Sequence, residues 1–444
     1  MKTKFFLLPT ILLALSGCNS VKESSNMTGD DSIGKGGSSG EYASDPTFSS
    51  GDSGGYAGGD ATGSAEGEPY YGEGDAAGEG ETGEPAPGEG GETIPSQQTG
   101  PKPGQLTCSA LDDNKYYDFW KSLGTSTQEG KGLFQSFKEK FAFNTYNRLD
   151  LTINNGNNVS VKVKGDTFAT KVDNLHKAYL FPQVEQENYT VEISYLDNNN
   201  EKQTIEKEVK DGDTIDLENT FTISNNLEIM FVIDATGSMG DEMSYIKSEI
   251  DDVIYQVKTA NAQANISLAI MVYRDKGDDY VTRYSDFTAD ITAQQDFLKL
   301  QRASGGGDFE EAVNVALDEA INKQWSDTST KLLFHVADAP AHDKDVQSWN
   351  QSALLAARKG IKIISIASSG IDKKTEYFFR SQSLLTSGQY VYLTDDSGIG
   401  GSHVEATKEE DLIVEYLNEC LIRLINGYFS GTFTEPVSYK QSQQ

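Results

Sequence analysis

The stretch FVIDATGSMGDEM at Phe231–Met243 decides the fold. An apolar run ends in Asp234, two hydroxyl residues follow at Thr236 and Ser238, and a helical pattern begins just beyond. Met243, Ile246, Ile250, Val253, Ile254 and Val257 recur at helical spacing, which predicts one apolar stripe. Around this strand–helix unit lie further short apolar runs: LEIMFVI (227–233), ISLAIMVY (266–273), LLFHVA (332–337), IKIISIA (361–367) and YVYL (390–393). They are nearly continuous and rich in β-branched and aromatic residues, as strands buried on both faces are. Helical segments separate them, so an α/β, doubly wound parallel sheet is expected over residues 226–428. In that architecture ligands sit beyond the carboxyl ends of the strands.

The strand ends carry oxygen. Asp234, Thr236 and Ser238 follow the first run; Arg274 and Asp275 follow the second; Asp338 follows the third in VADAPAH (336–342). The loop ASGGGDFEEA (303–312) places Asp308 at a helix start. Carboxylates and hydroxyls without thiolates are hard donors suited to Mg²⁺, Ca²⁺ or Mn²⁺. Asp275 and the neighbouring acids of RDKGDDY, His342, and Asp395 with Asp396 in LTDDSG are candidates for the rim of the same face, and a solvated acidic loop is the plainer reading of them. The four histidines show no paired-ligand spacing, which argues against catalytic zinc.

D-A-T-G-S at Asp234–Ser238 resembles the D-x-[ST]-x-S element of the von Willebrand factor A domain. That family's metal ion-dependent adhesion site binds a divalent cation. The resemblance implies a Rossmann-like fold in which Asp234, Thr236 and Ser238 form the first ligand element and Asp338 the last. GGGD, YRD and DAPAH are similar to the subgroup of hemicentin-type and alpha-kinase-linked A domains. One element departs from the family pattern: Gly307 stands where a threonine ligand is usual, with Asp308 next to it. Should Asp308 ligate instead, three carboxylates would face one divalent charge, favouring Ca²⁺ or a structural metal over an adhesive one.

Upstream, Leu149–Ile153, Val159–Val163 and Tyr189–Tyr195 alternate with period two and are separated by Asn-rich turns. That pattern predicts a small antiparallel β-sandwich in residues 105–225. It resembles the regulatory-type or immunoglobulin-like module associated with carboxypeptidases. A short helix near 112–123 is expected to lay Trp120 on the sandwich.

Residues 1–18 read as a processing segment: Lys2 and Lys4, an apolar run Phe5–Leu15, then LSGC, which resembles the bacterial lipoprotein box. Cys18 is the expected lipidation site. Asn19 is not the aspartate that holds enteric lipoproteins at the inner membrane, so a membrane-anchored lipoprotein, in a Gram-negative host at the outer membrane, is expected. Residues 19–104 are a Gly-, Ser- and Glu-rich tether with 16 acids against 3 lysines, too poor in aliphatic residues to fold. As a flexible coil it would reach roughly 50 Å. Residues 429–444 form a polar tail. The whole chain carries a net charge of −31, which argues against nucleic acid and anionic lipid surfaces as partners. The remaining cysteines, Cys108 and Cys420, either pair in an oxidising envelope or stay as two buried thiols.

Enzymatic readings fare poorly. A haloacid-type phosphatase usually has a general acid two residues after its nucleophilic aspartate, where this chain has Thr236. TGSMG around Ser238 lacks the first glycine of a hydrolase elbow. The expectation is therefore a non-enzymatic envelope protein that binds a protein partner through its metal, the partner supplying an acidic side chain. Its alternative is a scaffold in which metal only fixes the loops.

Overall fold

The computed structural model describes residues 100–125 and 133–442. The expected signal segment, Cys18 and almost all of the tether lie outside the described residues. Among the described residues no helix is long and apolar enough to cross a membrane.

After β1 (Thr107–Leu111), α1 (Tyr117–Thr125) and α2 (Gln135–Phe141) come seven strands of a two-layer sandwich. They are β2 (Leu149–Asn154), β3 (Asn157–Val163), β4 (Ala169–Lys171), β5 (Lys177–Leu180), β6 (Tyr189–Leu196), β7 (Lys202–Val209) and β8 (Thr214–Asp216). One layer runs β5-β2-β8 and the other β4-β3-β6-β7. Leu149, Leu151 and Ile153 face Val159, Val161, Val191 and Ile193 across a dry interior, as the alternation requires. One pair departs from the antiparallel expectation: the three-residue β8 returns from the opposite layer and runs parallel to β2.

The larger layer is an eight-stranded sheet. Its parallel centre is β9 (Asn226–Asp234), β10 (Asn265–Tyr273), β12 (Thr330–Ala337), β13 (Ile361–Ala367) and β14 (Tyr390–Leu393). Antiparallel strands complete it: β11 (Thr282–Thr288) on one edge, β1 and β15 (Glu415–Tyr416) on the other. The strand order is β11-β10-β9-β12-β13-β14-β1-β15. Leu227, Ile229, Phe231 and Ile233 of β9 pack with α3 (Met243–Ala260) and α8 (Leu417–Ser430). Met230 and Val232 face the opposite layer of α5 (Val313–Ile321), α6 (Val346–Lys359) and α7 (Lys373–Leu385). Burial on both faces is why the run has no alternation. The α3 stripe is buried throughout, and α4 (Ile291–Leu300) lies beside it with Leu298 inward.

The expected boundary near residue 226 divides what the structure joins. β1, from the segment assigned to the sandwich, pairs with β14 in the large sheet. Trp120 is fully buried and stacks on Tyr146 and on Tyr377 of α7, at 5.8 and 5.9 Å between ring centres. Beside it, Arg380 of α7 donates two hydrogen bonds to Asp113, at 2.9 and 2.5 Å, and one to Glu376, at 2.9 Å. Residues 106–125 and 133–146 therefore belong as much to the α/β layer as to the sandwich. Cys108 on β1 and Cys420 on α8 are both buried free thiols, and they touch.

Candidate metal centre

β9 lies between β10 and β12, with Ile233 level with Val336, so Asp234 and Asp338 emerge side by side at the carboxyl end of the sheet. The chain leaves β9 in one direction across the sheet and β12 in the other, which opens a crevice between them. Asp234 is fully buried. Its Oδ1 accepts hydrogen bonds from the Thr236 amide at 2.9 Å and the Thr236 hydroxyl at 2.6 Å. The Ser238 hydroxyl lies 3.3 Å from that of Thr236 and is near enough to Asp338 to favour its ionised form. These four side chains, expected together, are together.

Asp308 belongs to the acidic cluster that includes rim residues. It is exposed and lies with Asp275 and His342, one ligand atom from each falling within 4.8 Å of the others. His342 Nε2 is 3.0 Å from Asp275 Oδ1. A different carboxylate from the same loop turns inward: Glu311 is 2 % exposed and anchored by its amide, which donates to the Pro340 carbonyl at 2.9 Å. The three glycines explain how the loop reaches the crevice. Gly306 has φ +75°, and a Cβ on it would lie 2.9 Å from Glu311 Oε1 and 3.3 Å from Thr236 Cβ. Gly237 donates to the Gly305 carbonyl at 3.0 Å and Ser304 to that of Ala235 at 3.0 Å, binding the glycine loop to the DATGS loop. Arg274 clamps the same loops, donating to the carbonyls of Ala235 (3.0 Å) and Arg302 (2.9 Å); its nearest carboxylate, on Asp279, is 3.9 Å away.

Three buried carboxylates thus lie within electrostatic reach of one another. Burial, then the neighbouring Asp234, Asp275, Asp338 and Asp278, pushes Glu311 up to about 9. Burial first and Asp338 second raise Asp234; burial, followed by the charges of Glu242 and Asp241, raises Asp338. Asp234 Oδ2, Asp338 Oδ1 and Glu311 Oε2 are buried with no hydrogen-bond partner. Among the described residues no lysine, arginine or histidine pairs with any of the three. Unpaired buried oxygens of this kind are costly unless a cation meets them. The donor set, three carboxylates and two hydroxyls, is the hard-oxygen set that a divalent cation takes. The residues fit the metal that the sequence leads one to expect, with Glu311 added.

Beneath Asp234 runs a buried relay. Trp349 Nε1 donates to Gln382 Oε1 at 2.8 Å, so the Gln382 amide nitrogen faces His335 Nδ1 at 3.0 Å and donates to it. His335 Nε2 therefore carries the proton toward the Tyr273 hydroxyl at 3.1 Å, and Tyr273 is level with Asp234 on the neighbouring strand. Burial pushes His335 down to about 3, so it is neutral. Asp395 and Asp396 sit to one side of the centre. Asp395 holds His403 at 2.8 Å, His403 holds the buried Glu242 at 2.8 Å, and Asp396 accepts from the Tyr439 hydroxyl at 2.7 Å. Burial lowers and the two carboxylates raise His403, with a net upward shift.

Glu311 and the Tyr273–His335 relay were not singled out in the sequence. Glu311 sits two residues before Val313, where the buried face of α5 begins.

The sheet order and this site define a class. Residues 228–408 match the family model of the von Willebrand factor A domain, and this part of the chain is such a domain. The segment is 28% identical over 174 residues to the alpha-protein kinase vwkA of Dictyostelium discoideum, covering 39% of this chain and 28% of that protein. It is 28% identical over 186 residues to an ariadne-like RING finger protein of Acanthamoeba polyphaga mimivirus, covering 38% of this chain and 18% of the relative. The match thus spans well under a third of either relative. Among solved structures, BatB from Bacteroides thetaiotaomicron is similar with a TM-score of 0.29 and 14% identity, covering 37% of this chain and 89% of that one.

Proposed function

We propose that the A domain binds a divalent cation through Asp234, Thr236, Ser238, Asp338 and Glu311 and uses it to hold a protein partner. The observation that carries this reading is the set of three unpartnered buried carboxylate oxygens with no cationic side chain between them. Three carboxylates exceed the charge of one divalent ion, the consequence first anticipated for Asp308 and now carried by Glu311. A fourth, from the partner, would add to the excess. A carbonyl or hydroxyl oxygen of the partner therefore completes the shell, in place of the acidic side chain expected from the motif. The same excess favours Ca²⁺, which accepts more oxygen ligands, over Mg²⁺.

In this proposal Cys18 carries the lipid and residues 19–104 space the domain from a membrane, at the outer membrane in a Gram-negative host. This part rests on the sequence motif alone. Capture from native envelopes in Ca²⁺ and in EDTA, with wild type and Asp234→Ala, tests the interaction. A partner retained only by wild type with metal supports it; equal capture in EDTA would leave the metal a structural role. Labelling with a palmitate analogue, compared between wild type and Cys18→Ser, tests the anchor.

A further inference from the structure

At the opposite end of the large sheet from Asp234, the sandwich and the amino ends of β12 and β13 enclose a cavity of about 380 Å³. That is within the range of about 300–1,000 Å³ typical of small-molecule sites. Lysines from both layers line it: Lys171 from β4, Lys331 from β12 and Lys362 from β13. Lys362 is neutralised by Asp173 at 2.9 Å. The other two are not neutralised. Lys331 is 3 % exposed and its ammonium has one acceptor, the Lys359 carbonyl at 2.6 Å. Lys171 has the Asn158 side-chain oxygen at 2.7 Å and the Asp327 carbonyl at 3.3 Å. Among the described residues neither has a carboxylate within 4 Å. In a chain with 68 acids against 37 bases, a buried and a half-buried lysine side by side without a carboxylate are not explained by a lack of acids.

Their surroundings make the cost visible. Burial first and Lys171 second push Lys331 down to about 8, against weaker support from Asp327 and Glu228 and further opposition from Lys359. Burial likewise lowers Lys171. Lys331 leaves two N–H donors unused, and Phe221, Val172 and Leu196 line the same cavity as its apolar part. An ammonium kept desolvated without a counter-charge is what an anionic head group would need, and that lining suits an apolar body behind it.

We infer that this cavity is a second ligand site, for a small organic anion whose carboxylate or phosphate head is held by Lys171 and Lys331. The inference stands apart from the metal centre. Because the ligand would touch both layers, it would also stabilise their docking.

The test is calorimetric titration of the full chain in EDTA, at fixed ionic strength, with inorganic phosphate, phenyl phosphate and phenylacetate. The expected result is saturable binding, at least tenfold tighter for phenyl phosphate than for inorganic phosphate, and whichever aryl ligand binds tighter names the head group. Lys331→Met and Lys171→Met should each weaken it at least tenfold, while Asp234→Ala leaves it unchanged. Lys171 is only half-buried, so Lys171→Met also serves if Lys331→Met fails to fold. Absence of saturable binding by all three probes, or equal affinity in the folded lysine variants, would overturn the inference.

Discussion

Metal binding by this site should release protons, and the number follows from the carboxylates. Glu311, pushed up to about 9, is protonated at pH 7. Asp234, raised by burial and by Asp338, and Asp338, raised by burial and by Glu242 and Asp241, hold a further fraction of a proton. A cation binds the ionised forms, so each metal ion bound at pH 7 displaces more than about one proton. The sign follows directly: affinity strengthens as pH rises, by roughly tenfold per unit per proton displaced, and levels off above about 9. Glu311→Gln keeps an oxygen donor but removes that ionisation. It should weaken Ca²⁺ binding and reduce proton release by about one. Calorimetry at pH 7 in buffers of differing ionisation enthalpy counts the protons. Metal binding without proton release, or release unchanged in Glu311→Gln, would refute the assignment of Glu311 to the shell.

Further outcomes follow from the same geometry. Gly306→Ala must place a Cβ 2.9 Å from Glu311 Oε1 at a φ of +75°; it should cost about 1–3 kcal/mol in unfolding free energy and weaken metal binding, read by urea titration and calorimetry. Arg380→Met strands Asp113 and Glu376 in the interior and should cost roughly 3–5 kcal/mol by chemical denaturation. His335 is held neutral, with a folded value of about 3 below its ordinary 6.5. Its contribution is intact above 6.5 and lost as pH falls toward 3, by about 1.4 kcal/mol per unit, because the unfolded chain takes up the proton. The stability difference between wild type and His335→Asn should therefore shrink at that rate between pH 6 and 4. Cys108, buried and raised further by Cys420, should resist alkylation by iodoacetamide in the folded chain and react on unfolding.

The parallel core was legible because strands buried on both faces are written as unbroken apolar runs, and helix α3 because its stripe keeps one period. β1 was not: TCSAL is short and half polar, and its place beside β14 is set by partners 279–285 residues away in sequence. Trp120 was expected on the sandwich, and only the packing of α7 reveals Tyr377 as its partner. At the site, Asp234, Thr236, Ser238 and Asp338 could be placed because each sits next to a strand end. Asp308 and Glu311 share a glycine loop whose left-handed turns decide which carboxylate points inward, and periodicity carries no information about that. Asp395 drew attention as an acid, but its role is read from His403, which comes 8 residues later.

The most direct measurement is the anomalous difference map of crystals grown with Mn²⁺ as a stand-in for the physiological cation. The account predicts one strong peak within about 2.0–2.6 Å of oxygens from Asp234, Ser238, Asp338 and Glu311. A peak held instead by Asp275, Asp308 and His342, with Glu311 remote from it, would contradict it.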